Sequence, residues 1–280
     1  MRHGYLILIA TAACTFGQPV ESQTLAPDSS ESFSYADLAD LALAAPVAAH
    51  VRVDRARALS AREASVVPQG HRRFLIEARV VALIRGPAEI SQQVRYLADL
   101  PDQNGRAARI RRNTEFLLLA APVPGRPGEL RLIAPDSQLP HDPATAERLR
   151  AILRESLAPD APPRITGIGR AFSVPGSLPG ESETQIFLQT ADNRPISLSV
   201  LRRPGETPRW SVALSEIVDE AAAPPEPDTL LWYRLACTLP ASLPEPSLRE
   251  AEAAERRTIT ADYRLIREGL GPCVRNRRPR

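Results

Sequence analysis

The sequence predicts a mainly β protein with a minority of helix. Three observations carry this. Apolar–polar alternation at the strand period dominates the long stretches between turn signals. Proline supplies 28 of 280 residues, about twice the usual share, which favours short elements and many turns. Helical spacing is confined to a short segment near residue 40, a segment after Asp142, and the C-terminal region. The order is five strands with a closing helix, then an antiparallel meander covered by C-terminal helices. Hydrophobic content of 43% and charged content of 24% are ordinary for a chain that buries a core.

Taken in order, residues 1–22 read as a signal peptide. Arg2 and His3 form a short n-region, Tyr5 to Phe16 an apolar h-region, and Gly17 and Pro19 break it. Val20 and Ser22 put small residues at the −3 and −1 positions of a cleavage site after Ser22. Two alternatives stay open. Thr11 to Cys14, "TAAC", is similar to a lipoprotein box with Cys14 as the lipidated residue, and the segment could also remain uncleaved. Residues 23–33 are small and polar, a flexible lead. Tyr35, Leu38, Leu41 and Ala45 then sit at helical spacing, with Ser34 as cap and Pro46 as terminator.

Strands follow at Val47–Leu59, at His71–Gly86 and at Gln92–Leu100. In the second, Phe74, Ile76, Ala78, Val80, Ala82 and Ile84 share one face. "TEFLLLAAP" and "GELRLIAP" make a hairpin across "VPGRPG". Asp142 at the N-cap and Pro143 at N1 open a helix whose apolar face is Ala146, Leu149, Ile152 and Leu153.

This succession, with a long second strand ending in "ALIRGP", a "TEFLLLA" strand after a loop, a hairpin and a closing helix, resembles a netrin-type module of the kind found in tissue metalloprotease inhibitors. The resemblance covers roughly residues 36 to 157 and implies an OB-like small β-barrel. It is one of pattern alone. The family's cysteine framework is missing, as is the mature N-terminal cysteine that chelates a protease metal, so no inhibitory mechanism is implied. The whole chain also resembles uncharacterised exported proteins of Gram-negative bacteria, which lend it no activity. The barrel domain is therefore expected at 34–157 and a Pro-rich linker at 158–164.

The second unit spans 165–273. "ITGIGRAFSV" is a strand whose Gly167 and Gly169 mark a bulge or close packing. "ETQIFLQT" and "PISLSVLRR" form a hairpin turning at Asp192-Asn193, and "RWSVALSEIV" adds a further strand. One such sheet has an apolar face to cover. Asp228 is expected to cap a helix through "DTLLWYRLACTLP", with Leu231, Leu235 and Trp232 facing the sheet. Ser247 and Glu250 would form a capping box for a second helix running towards Leu270.

Removal of the leader would leave Cys237 and Cys273, and an even pair in an exported chain reads as a disulfide. It closes a loop of about 36 residues, worth roughly 4 kcal/mol in the chain-entropy model. A straight helix of about 22 residues is about 33 Å long and would carry Cys273 away from Cys237. The bridge therefore predicts a break, placed at Thr258-Ile259-Thr260, or a different docking angle. Residues 274–280 are expected to be a disordered basic tail.

Catalytic patterns are absent from the sequence. No G-x-S-x-G elbow, zincin pair, Walker loop or dinucleotide fingerprint occurs. His50, His71 and His141 are scattered over strands and loops and read as surface residues, so no metal site and no cofactor are expected. Glu181, Glu183 and Asp192 read as a solvated rim. All 35 basic residues are Arg, set against 33 acids, and the groups Arg109/Arg111/Arg112, Arg202/Arg203 and Arg275/Arg277/Arg278/Arg280 lack interleaved aromatics. Nucleic acid is not an expected partner; peripheral contact of the tail with anionic lipid stands as an alternative to a solvated tail. Trp210, Trp232 and Tyr233 are the candidates for a recognition surface. The expected function is that of a non-enzymatic exported binding or assembly protein of the periplasm or envelope. Two alternatives stand beside it: a hydrolase of an envelope polymer without a linear motif, and an inhibitor or accessory subunit of an envelope protein.

Overall fold

Alternation along β1 (Val47–Ala58), β2 (His71–Arg85) and β3 (Gln93–Pro101) produces a meander whose inward residues are Val51, Val53, Phe74, Ile76, Ala78, Val94, Tyr96 and Ala98. The computed structural model describes residues 33–277 except 61, 65, 103–105, 107 and 215–221. The leader, Cys14, residues 23–32 of the polar lead, Arg278 and Arg280 lie outside the described residues, whereas Phe33 packs against the core. β4 (Glu115–Pro122) pairs antiparallel with β1, then with β5 (Leu130–Leu132) and β6 (Gln138–Pro140). The strand order is β3-β2-β1-β4-β5. A parallel bridge between Arg95 and Glu129, with Arg95 N–H donating to Gly128 O at 2.8 Å, nearly closes the sheet into a barrel.

Ile84 departs from the face expected for it. Register shifts between β1 and β2 at His50/Val51 and Ala48/Ala49 are bulges: the first sets Ala82 opposite His50, on the face away from the interior, and Ile84 is the unpaired residue of the second. Phe74, Ile76 and Ala78 stay in the barrel interior, with Val80 packed at its margin, while Ile84 packs into the other core.

That other core covers the barrel's outer face. Ala48, Leu117, Leu119 and Leu139 point outward from β1, β4 and β6 and meet α1 (Tyr35–Ala44) and α2 (Pro143–Leu157). Both helices begin where their caps lie. Ser34 accepts from Asp37 N in a capping box, and Asp142 accepts from Thr145 N. The same cluster continues through Ile186, Leu188, Ile196, Leu198 and Val200 of the second sheet. That sheet is β7 (Ile165–Pro175), β8 (Ser182–Thr190), β9 (Ile196–Arg202) and β10 (Arg209–Ala213), in the order β10-β9-β8-β7. Its two expected features are present. Asn193 takes the left-handed turn conformation with φ 62°, and β7 carries register shifts at Ile165/Gly167 and Ile168/Ala171. A side chain at Gly167 would strike Gln189 at 2.7 Å. Among the described residues strands make up 36% and helices 23%, so the fold is mainly β. Residues 158–164 join two sheets that share one layer of helices, with Pro163 buried in the join.

The C-terminal helices differ from expectation in their ends. α3 (Leu230–Ala236) is capped by Thr229, whose hydroxyl accepts from Trp232 N, and not by Asp228, which has φ 58°. It packs against α1, α2 and α4. Ser247 lies in a 3₁₀ turn (Glu245–Leu248) framed by Pro244 and Pro246, and the capping box belongs to Glu252 and Glu255. α4 (Ala253–Leu270) runs unbroken through Thr258-Ile259-Thr260. The later start and the intervening turn remove the geometric conflict. Cys237 at the end of α3 and Cys273 just beyond α4 lie with their sulfurs 2.08 Å apart. Among the described residues, no helix is long and apolar enough to cross a membrane.

α4 is fastened to the second sheet by a buried carboxylate. Asp262 is fully buried and accepts from Arg202 Nε at 2.6 Å and from the Thr184 hydroxyl. The basic tail also departs from expectation at residues 275–277. Arg275 donates to Asp40 at 2.7 Å, the Asn276 and Arg277 backbone N–H groups donate to Asp37, and Arg277 pairs with Asp136 at 2.8 Å. Three acids contributed by α1 and the β5–β6 turn outweigh solvation of the tail as charge-assisted partners.

Candidate functional site

Two places on the barrel gather chemistry. The first is the seam where β3 approaches β5. β5 is three residues long, so it can follow β3 over only part of its length. Beyond the Arg95–Glu129 bridge, among the described residues, no strand pairs with Tyr96–Pro101 on the side away from β2. The opening holds a groove of about 730 Å³. Leu75 and Leu97 are cross-strand partners on its floor, and Leu132 and Ile133 form the opposite wall. Leu97 is 46% exposed, so this apolar floor faces water. The rim is charged and internally paired: Arg73 with Asp99 at 2.7 Å, Arg95 with Glu129 at 2.6 Å, and Arg126 with Glu129 at 3.3 Å. The Asp99 hydrogen bonds raise the Arg73 guanidinium's pKa, and those from Arg95 hold the Glu129 carboxyl below its ordinary range. The Tyr96 hydroxyl is buried in the barrel, and burial raises its pKa.

The second place lies on the barrel face that carries the helices. His50 on β1, Glu115 on β4 and His141 just after β6 come from three adjacent strands. Register brings them together: Arg52 faces Glu115, His50 faces Leu117, and Leu117 faces Leu139. The imidazoles of His50 and His141 stack with ring centres 3.8 Å apart and planes 11° off parallel. Glu115 Oε2 lies 2.9 Å from His50 Nε2 and 3.7 Å from His141 Nδ1. Arg52 occupies the other oxygen, donating from Nε to Oε1 at 2.8 Å. The Arg52 hydrogen bond, then that of His50, lowers the Glu115 carboxyl's pKa. His50 is therefore a buried residue paired with His141, where the sequence reading had scattered surface residues. His71 stays apart, its Nδ1 3.0 Å from Gln69 O.

The other sequence candidates fall elsewhere. Trp232 is a core residue; its indole N–H donates to Leu270 O at 2.8 Å, and its ring meets Tyr35 edge-on. Tyr233 donates to Asp40 Oδ1 at 2.6 Å, and burial followed by this bond pushes its pKa up to about 12. Trp210 packs so closely on α4 that a side chain at Gly269 would strike its ring nitrogen at 2.4 Å. These rings join elements to one another and do not form one exposed patch. Arg109, Arg111, Arg112 and Arg203 are exposed, whereas Arg202 is tied to Asp262. Glu183 bonds Gln185 and Asp192 bonds Arg194 at the surface, and Glu181 closes its own turn onto Leu178 N.

No protein-family model matches the chain, and no curated protein is similar to it.

Proposed function

We propose that the protein is a non-enzymatic binding or assembly protein of the periplasm or envelope, and that it holds an extended segment of a partner protein in the β3–β5 seam. The observation that carries the reading is the seam itself. It pairs an uncovered strand edge with an apolar groove of about 730 Å³, within the range of ligand-holding clefts. An unpaired edge recruits another strand through its backbone groups, and side-chain pockets along such an edge select which segment fits. Export is supported by the pattern of residues 1–22 and by the Cys237–Cys273 pair at bonding distance, since such pairs persist in oxidising compartments.

The test places a photo-crosslinking side chain at Leu97, with Leu157 at the exposed end of α2 as control. The expected outcome is one discrete crosslinked partner from position 97 and none from position 157, with the crosslink lost when Leu75 is replaced by Arg. Equal labelling at both positions, or none at 97, sinks the reading.

The cluster of two imidazoles and a carboxylate favours a second reading, a hydrolase of an envelope polymer, because such groups can move protons at neutral pH. Turnover of a cell-envelope polymer that disappears with Glu115→Gln is what would establish it.

A further inference from the structure

We propose that His50, Glu115 and His141 form a binding site for a late first-row divalent metal ion, with Zn²⁺ as the ion to test. The site goes beyond the seam reading and lies on the other, helix-covered face of the barrel. The three donor atoms lie within 4.8 Å of one another. Two imidazole nitrogens and one carboxylate oxygen are the donors that suit Zn²⁺, Cu²⁺ or Ni²⁺. Two His and one Glu also make a three-ligand set that leaves a coordination position open.

Several features prepare these groups for an ion. The two carboxylate oxygens have separate duties. Oε1 is held by Arg52, which fixes the orientation of the group, and Oε2 is the atom that faces both rings. An outer partner of this kind is what orients ligands in metal sites. The His141 backbone N–H donates to Glu115 O at 3.0 Å, so the third ligand is tied to the second before any ion arrives. The side chains of His50, His141 and Glu115 are 11%, 19% and 30% exposed, which leaves a path from solvent on the Glu115 side.

The ion would take the place of the hydrogen on His50 Nε2, and because a metal-bound neutral imidazole keeps one N–H, that hydrogen passes to Nδ1 as the ring changes tautomer. Zn–N and Zn–O bonds are about 2.0–2.2 Å, so tetrahedral donors stand about 3.3 Å apart; the His141 nitrogen must move inward and the His50–Glu115 pair must open slightly, which requires the His141 ring to turn out of its stack on His50. Arg52 opposes the ion electrostatically, but at 46% exposure its charge is well screened. Glu115 and Asp142, the residue after His141, bring two negative charges against that one. The filled site would join β1, β4 and the entry to α2.

The experiment uses the full chain with its cysteine pair oxidised, stripped of metal by chelator and dialysed. Zn²⁺ uptake is followed by equilibrium dialysis and calorimetry, and Co²⁺ supplies a visible spectrum for the coordination number. The expected result is one Zn²⁺ per chain and a four-coordinate Co²⁺ band. His141→Phe, which keeps a stacked ring without the donor, should lose at least tenfold in affinity, and Glu115→Gln the same, while His71→Ala binds as before. Circular dichroism checks the fold, and His141→Phe carries the test should Glu115→Gln unfold. No saturable uptake, less than a threefold loss in His141→Phe, or a loss in His71→Ala would each overturn the site.

Discussion

The two sheets solve the same problem in different ways. The first curls until its edges nearly meet and fills its interior with its own side chains, from Val51 and Val53 to Phe74, Ile76 and Tyr96. The second stays open and relies on α4, which reaches it through Ile259, Tyr263 and Ile266 and through the buried Asp262–Arg202–Thr184 contacts. A sheet that closes fills its inner face itself and leaves only its outer face for α1 and α2 to cover. A sheet that stays open depends on whatever fixes its cover. In this protein polar fasteners gather at the cover: the cysteine pair, the Asp262 cluster and the Asp40–Arg275 clasp.

Three perturbations sharpen that contrast. Trp210 and Trp232 both sit beside α4 and the second sheet, and they are the chain's only two tryptophans. Their fluorescence therefore reports the covered half. Replacing Cys237 and Cys273 by Ser should cost the most, roughly 4 kcal/mol for a loop of this length, read as a lower urea midpoint of tryptophan fluorescence. Asp262→Ala strips the partner from a partly buried Arg202 and should cost about 3 kcal/mol, with the tryptophan transition moving ahead of the barrel's amide exchange. Coincident transitions in that variant would mean that the two halves unfold as one.

The smallest effect belongs to the clasp. Burial pushes the Asp40 carboxyl up, but hydrogen bonds from Arg275 and Tyr233 outweigh it and hold the group below its ordinary value of 3.8. A carboxylate with a depressed folded pKa contributes stability at pH above the unfolded value and loses it as pH falls through the folded one. Asp40→Asn should therefore be less stable than the parent by about 0.5 kcal/mol near neutrality, the size of a partly exposed pair. The difference should shrink as pH falls below the ordinary Asp value and vanish only below the lower folded value. A difference that persists there would assign the effect to packing.

Much of this architecture is legible in the residues. Alternation places β2, β8 and β9, and Ser34 and Asp142 mark their helices because each has a short side chain able to accept from the first turn. The signals that misled did so for physical reasons. Ser247 with Glu250 has the spacing of a capping box, but Pro244 and Pro246 hold that stretch in a 3₁₀ turn, and Glu252, a weaker cap by type, starts α4. The tail looked solvated because its partners, Asp37 and Asp40, lie more than 230 residues away in sequence. His50 and Glu115 are 65 positions apart, and only the pairing of β1 with β4 and of β4 with β6 brings them and His141 together. Nothing local in the sequence encodes that pairing.

The clasp also bears on the order of events during synthesis. Asp40 precedes Arg275 by 235 residues, so α1 is made long before the group that completes its acidic face. Until then Asp37 has its capping contact with Ser34 N, and Asp40 has solvent and Tyr233, once made, to turn to. The contact that draws residues 275–277 onto α1 can form only after the strands of both sheets have been made, and it acts as a latch on a body whose two sheets can already be in place.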